Sequence, residues 1–228
     1  MPGPTLSGDG GSGLPPESFC REDETDDALF YRQPRLVTHI DDEAIGALTA
    51  FYRQVIPDGA RVLDLMTSWV SHLPAGKPLS GVSGVGLNAV ELAANPALTE
   101  RVVQDLNRDP VLPWPEAYFD AAVVTVSVQY LTRPAEVFRE VGRVLGPGAP
   151  FVVAFSNRCF PSKAVSAWLH RGPRAQAELV STYFRLGAVF ETARVFNISP
   201  GRGHDPLYVV VASKLPAQSA IGSREVNS

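Results

Sequence analysis

From residue 28 onward, short apolar runs rich in valine alternate with longer stretches whose apolar positions recur at helical spacing. Runs at 61–65, 79–86, 100–104, 121–126 and 151–155 predict five strands, and the spacing at 41–55, 88–94 and 134–145 predicts the helices between them. The last of these opens with Pro134 in its first turn and stops before Pro147 and Gly148, which is sound start and stop chemistry. Two further helical stretches, 162–170 and 175–186, precede strands at 191–198 and 207–213. The glycine-containing segment 201–206 between these strands is short enough to make them an antiparallel hairpin. The pattern predicts an α/β fold, a seven-stranded and mostly parallel sheet with helices on both faces and a C-terminal antiparallel hairpin.

The ends of the chain read differently. Residues 1–18 hold five glycines and four prolines with few apolar anchors, too little to offset the entropy of ordering. The acidic run at 21–27, five acids and one base, extends this tail. Residues 1–27 are therefore expected to be disordered, 28–214 to form one domain, and 215–228 to be a flexible C-terminal tail. The net charge of −4 equals the local sum of the acidic run, so the remainder is balanced. A balanced surface lacks the clustered Lys and Arg that phosphate backbones require, which argues against nucleic acid as partner. Cys20 and Cys159 offer neither a disulfide framework nor a metal spacing, and His204 with Asp205 lacks a third ligand, so no metal is expected. No run approaches the roughly 18 apolar residues that span a bilayer, and the N-terminus lacks a basic and apolar leader. A cytoplasmic location without membrane partner follows as the expectation.

Three segments carry a family resemblance. The stretch Leu112-Pro113-Trp114-Pro115-Glu116-Ala117-Tyr118-Phe119-Asp120 is similar to the LPFPDxSFD lead-in to the fourth strand of class I S-adenosylmethionine-dependent methyltransferases, in particular the type 11 small-molecule group. Ser127-Val128-Gln129-Tyr130-Leu131 resembles that family's exit from the strand, and 137–149 resembles its ExxRVLKPGG helix and turn. The resemblance covers about 31–213 and implies a Rossmann-like sheet, S-adenosyl-L-methionine as cofactor and methyl transfer to a small molecule.

The cofactor motifs both follow and depart from the family. Its first strand ends in an acid followed by glycines, DxGxGxG, whereas this chain has Asp64 followed by Met66, Ser68 and Val70 at the glycine positions. Side chains in a left-handed backbone cost roughly 1–2 kcal/mol apiece, so the loop is expected to take another path or the pocket to be altered. At the end of the second strand Gly86 stands where the family has the acid that binds the ribose hydroxyls, leaving Asn88 and Glu91 as the nearest substitutes. After the third strand, Asp105 and Leu106 match the segment that contacts adenine, carboxylate to exocyclic amine and backbone N–H to ring nitrogen. Asp64, Gly86, Asp105 and Ser127 also fall at the carboxyl ends of strands, where open parallel sheets bind ligands. The resemblance thus implies a cofactor set of Asp64, Met66, Ser68, Gly86, Asn88, Asp105, Leu106 and Ser127.

His72, His39 and Tyr130 are the candidates for proton transfer, with Gln129 beside Tyr130 on the acceptor side. Asn157, Arg158 and Lys163 could meet a small anionic acceptor, although each is also an ordinary loop residue. Trp69 reads as packing, and the Gly81 to Gly86 run, lacking a following Lys-Ser pair, as close backbone approach rather than a phosphate loop. The alternative to an enzyme is a methyltransferase-like binding or regulatory module that no longer catalyses. A nucleotide-binding oxidoreductase lacks its glycine fingerprint and conflicts with the hairpin. Nothing in the sequence fixes the acceptor or the oligomeric state.

Overall fold

The computed structural model describes residues 13–216. The glycine- and proline-rich residues 1–12 and most of the expected C-terminal tail, 217–228, lie outside the described residues. Seven strands form one sheet in the order β3-β2-β1-β4-β5-β7-β6. They are β1 (Arg61–Leu65), β2 (Gly81–Gly86), β3 (Glu100–Val103), β4 (Ala121–Thr125), β5 (Pro150–Phe155), β6 (Arg194–Asn197) and β7 (Tyr208–Ser213). The first five are parallel, and β7 runs antiparallel to both β5 and β6. Val62, Leu63, Val123, Val124, Val152 and Val153 are buried, because helices cover both faces of the sheet. This is why the central strands read as continuous apolar runs rather than as alternation.

Helix α1 (Asp27–Phe30) is a single turn, and α2 (Asp42–Val55) follows it. Ala44, Leu48 and Tyr52 of α2 pack on one face of the sheet together with Leu92 of α3 (Ala89–Ala94). The other face is covered by α4 (Pro134–Val144) and α5 (Pro173–Gly187) through Val137, Phe138, Val141, Leu179, Val180, Tyr183 and Phe184. Asp41 caps α2 by accepting from the Ala44 amide, and Asn88 caps α3 by accepting from Val90 and Glu91.

Two expectations fail. The stretch 162–170 is not a helix: only a 3-10 turn forms at Pro161–Lys163. Its backbone bonds instead to the N-terminal segment, Ser166 N to the Cys20 carbonyl at 2.8 Å and Ala167 N to the Ser18 carbonyl at 2.9 Å. The acidic run is not a loose extension of the tail either. Lys163, fully buried, reaches Asp27 Oδ1 at 3.1 Å, Asp23 Oδ2 at 3.3 Å and the Thr25 carbonyl at 2.6 Å. Arg21 Nη1 donates to both oxygens of Asp27 at 2.8 Å. Buried charge is tolerated when it is paired and hydrogen-bonded, and here the pairing straps residues 16–30 onto the domain.

Candidate functional site

The parallel strands end on one edge of the sheet, and the loops leaving them enclose a cavity of about 580 Å³. Every residue nominated above as cofactor-binding or proton-transferring borders it: Asp64, Met66, Ser68, Gly86, Asn88, Asp105, Leu106, Ser127, Tyr130, His39 and His72. Convergence at the carboxyl ends of β1, β2, β3 and β4 is what the topology dictates for an open parallel sheet.

The loop after β1 keeps one element of the glycine motif without the glycine. Met66 takes a left-handed backbone, φ 52°, whereas neither Ser68 nor Val70 has positive φ. Side chains hold the turn. Thr67 Oγ1 donates to Asp64 Oδ2 at 2.7 Å, and Ser68 Oγ donates to Glu91 Oε2 at 2.6 Å. The Asn95 amide donates to the Ser68 carbonyl and to Ser71 Oγ, each at 2.9 Å. The Thr67 amide binds the Val85 carbonyl at 2.9 Å, which lays the loop across the end of β2. A Cβ at Gly86 would lie 2.3 Å from the Thr67 carbonyl oxygen, so the missing acid and the altered loop are one structural fact. Asp64 is buried beneath this loop. Desolvation pushes its carboxyl up to about 7, against the pull of the Ser71 and Thr67 hydroxyls.

Of the two substitutes for the ribose acid, Asn88 is fully engaged. Its oxygen caps α3 while its amide donates to the Tyr31 carbonyl at 2.8 Å and the Arg32 carbonyl at 3.2 Å. Glu91 accepts from Ser68 and from the Arg35 amide at 2.7 Å, which leaves further lone-pair positions on its carboxylate. Asp105 accepts from the Asn107 amide at 2.9 Å, and its carboxyl is raised, chiefly by burial.

At the end of β4, Val126 has φ 47°, a strained conformation for a β-branched residue. The next residue, Ser127, presents a buried hydroxyl with no hydrogen-bond partner. Gln129 departs from its expected place. It is buried and does not border the cavity, and its amide holds the Val126 carbonyl at 2.9 Å. Tyr130 stacks on Phe160, ring centres 6.1 Å apart, and its hydroxyl accepts from the Phe160 amide at 2.9 Å. Burial pushes the Tyr130 phenol up to about 12. Burial lowers His39, and lowers His72 to about 4, so both imidazoles are neutral at pH 7. Tyr31 and His39 complete an aromatic wall around Phe160.

The three loop residues nominated for an anion are otherwise occupied or turned away. Lys163 lies in the strap cluster, Arg158 Nη2 pairs with Asp205 at 2.7 Å, and Asn157 is exposed outside the cavity. Asp41, Glu43 and His204 bring ligand atoms together at the rim, but both Asp41 oxygens already accept backbone amides, from Ala44 and Asp205. Trp69 borders the cavity and donates to the Val37 carbonyl at 2.9 Å. Arg35, Tyr31 and Phe160 border the same space; the sequence points to the segments 31–56 and 157–172 for acceptor recognition but does not single out these three residues within them. Arg35 and Tyr31 stand before the first strand in a stretch with no periodic pattern, where the only signal is an aromatic and basic composition.

A methyltransferase-domain family model matches residues 80–153, from just before β2 into β5, and so leaves out β1 and its altered loop. No curated protein matches the chain in sequence. Solved structures share the fold. The [4+2]-cyclase SpnF is 17% identical with a TM-score of 0.58, over 82% of this chain and 90% of that one. An S-adenosylmethionine-dependent methyltransferase from Mesorhizobium loti is 19% identical with a TM-score of 0.51, over 74% and 98%. Another from Aquifex aeolicus is 15% identical with a TM-score of 0.55, over 76% and 92%. In addition to these likenesses, no helix among the described residues is long and apolar enough to cross a membrane. The methyltransferase-domain match is confined to the stretch from β2 to β5, and the likeness to these solved structures is one of fold.

Proposed function

We propose that the protein transfers a methyl group from S-adenosylmethionine to a small acceptor, within the cavity at the carboxyl edge of the sheet. The observation that carries this reading is one continuous cleft with a polar corner at β1 to β4 and an aromatic corner at Tyr31, Tyr130 and Phe160. Its volume of about 580 Å³ lies within the roughly 300–1,000 Å³ usual for ligand pockets. The orphaned Ser127 hydroxyl is the kind of buried polar atom that a bound ligand satisfies. Asp105 and Leu106 would hold the adenine, and the turn 66–68 the amino-acid end. With Gly86 bare and Asn88 engaged, Glu91 is the carboxylate left for the ribose hydroxyls.

When bound, the cofactor supplies a methyl group on an already activated sulfonium. The chain's own contribution is then positioning: the aromatic wall orients the acceptor and excludes water. His39 and His72, neutral at pH 7, can accept a proton from the acceptor, whereas Tyr130 stays protonated and serves as wall.

Calorimetric titration with S-adenosylhomocysteine tests the reading. Micromolar binding that is abolished by Asp105→Ala is expected, and no heat at millimolar ligand would favour a module that does not catalyse.

A further inference from the structure

We propose that the methyl acceptor is a planar carboxylate whose charge is bound by Arg35. This rests on the methyl-transfer reading and names its substrate class. Arg35 borders the cavity, with its guanidinium carbon 4.8, 5.6 and 5.3 Å from the ring centres of Phe30, Tyr31 and Phe160. Nη2 donates to the Phe30 carbonyl at 3.1 Å, whereas Nη1 is buried without a hydrogen-bond partner. Among the described residues no ion pair engages Arg35.

Two of the surrounding acids are matched by cations, whereas Glu91 has neutral hydrogen-bond donors only. Asp27 is shared by Arg21 and Lys163, Asp205 pairs with Arg158, and Glu91 accepts from Ser68 and from the backbone of Arg35 itself. A cation held among aromatic rings at a cavity wall, with donors to spare, calls for an anion from outside the chain. A carboxylate matches the planar fork of a guanidinium with two oxygens, and the stacked Tyr130 and Phe160 rings offer a flat apolar face to the body that carries it. With Ser127 given to the cofactor, Arg35 Nη1 is, among the described residues, the remaining buried side-chain atom bordering the cavity that lacks a partner.

The test measures binding of benzoate, benzamide and phenyl phosphate to the full chain, with and without S-adenosylhomocysteine. Benzoate is expected to bind at least tenfold more tightly than benzamide. Arg35→Gln should erase that preference and Arg35→Lys keep part of it, with the affinity for S-adenosylhomocysteine changed less than about threefold and the melting temperature confirming a folded protein. Equal affinity of wild-type protein for benzoate and benzamide, which needs no variant, would overturn the proposal, as would a preference that survives Arg35→Gln. Tighter binding of phenyl phosphate than of benzoate would overturn the carboxylate assignment. A benzoate preference in protein that does not bind S-adenosylhomocysteine would support the Arg35 site while removing methyl transfer as its purpose.

Discussion

Asp64 and Ser127 are single side chains whose burial carries a stability cost at the proposed site. Desolvation raises the Asp64 carboxyl from its ordinary 3.8 to about 7, so the folded state holds a proton that the unfolded chain releases. The stabilisation is complete below the unfolded value and is lost as pH rises through 7. Asp64→Asn, which keeps the shape without the ionisation, should therefore gain about 2–3 kcal/mol relative to wild type between pH 5 and pH 8, read from urea unfolding at the two pH values. Ser127 leaves its hydroxyl unsatisfied, at a buried cost of about 1–3 kcal/mol. Ser127→Ala is expected to match or exceed the thermal stability of wild type while binding S-adenosylhomocysteine roughly tenfold more weakly, a combination that calorimetry and thermal melting read together. The strand-end positions of both residues were legible in the sequence. Their electrostatic states were not, because burial by the loop that follows Asp64 and the left-handed turn at Val126 are tertiary facts.

Among the elements, the strap formed by residues 16–30 is the one that composition misread. Five acids in seven residues signal a solvated segment unless a cation waits for them elsewhere, and Lys163 stands some 140 positions away in sequence. The same contact accompanies the failed helix at 162–170, where the Ser166 and Ala167 amides bond to the backbone of Cys20 and Ser18 rather than to an intrahelical ladder. Tertiary bonding overrode local periodicity at both ends of one interaction. The regular elements, by comparison, were predicted to within a few residues, since valine-rich strands buried on both faces and capped helices advertise themselves locally. Lys163→Ala leaves Asp27 with Arg21 as its one cation beside the Asn107 amide, and opens a void beneath Phe30. It should destabilise the protein by about 3 kcal/mol and raise amide hydrogen exchange across residues 17–31 more than in the central strands.

For the whole molecule, the sheet supplies a floor and the segment that continues from the strap supplies the wall with Tyr31 and Arg35, so a ligand in the cavity would bridge two parts of the structure. Binding to the folded state alone adds about 2.7 kcal/mol at a ligand concentration one hundred times the dissociation constant. For a domain of this size the melting temperature should then rise by about 5–10 °C with S-adenosylhomocysteine, a shift that differential scanning calorimetry would show and that Asp105→Ala should remove. The packing of the Thr67 carbonyl against Gly86 also limits how such a sequence can change with time. An acid restored at position 86 alone would drive its Cβ into that carbonyl, and glycines restored in the loop alone would surrender the Ser68 hydroxyl bond that now ties it to Glu91. Each reversal passes through an intermediate worse than either end. The two departures are therefore expected to be inherited together.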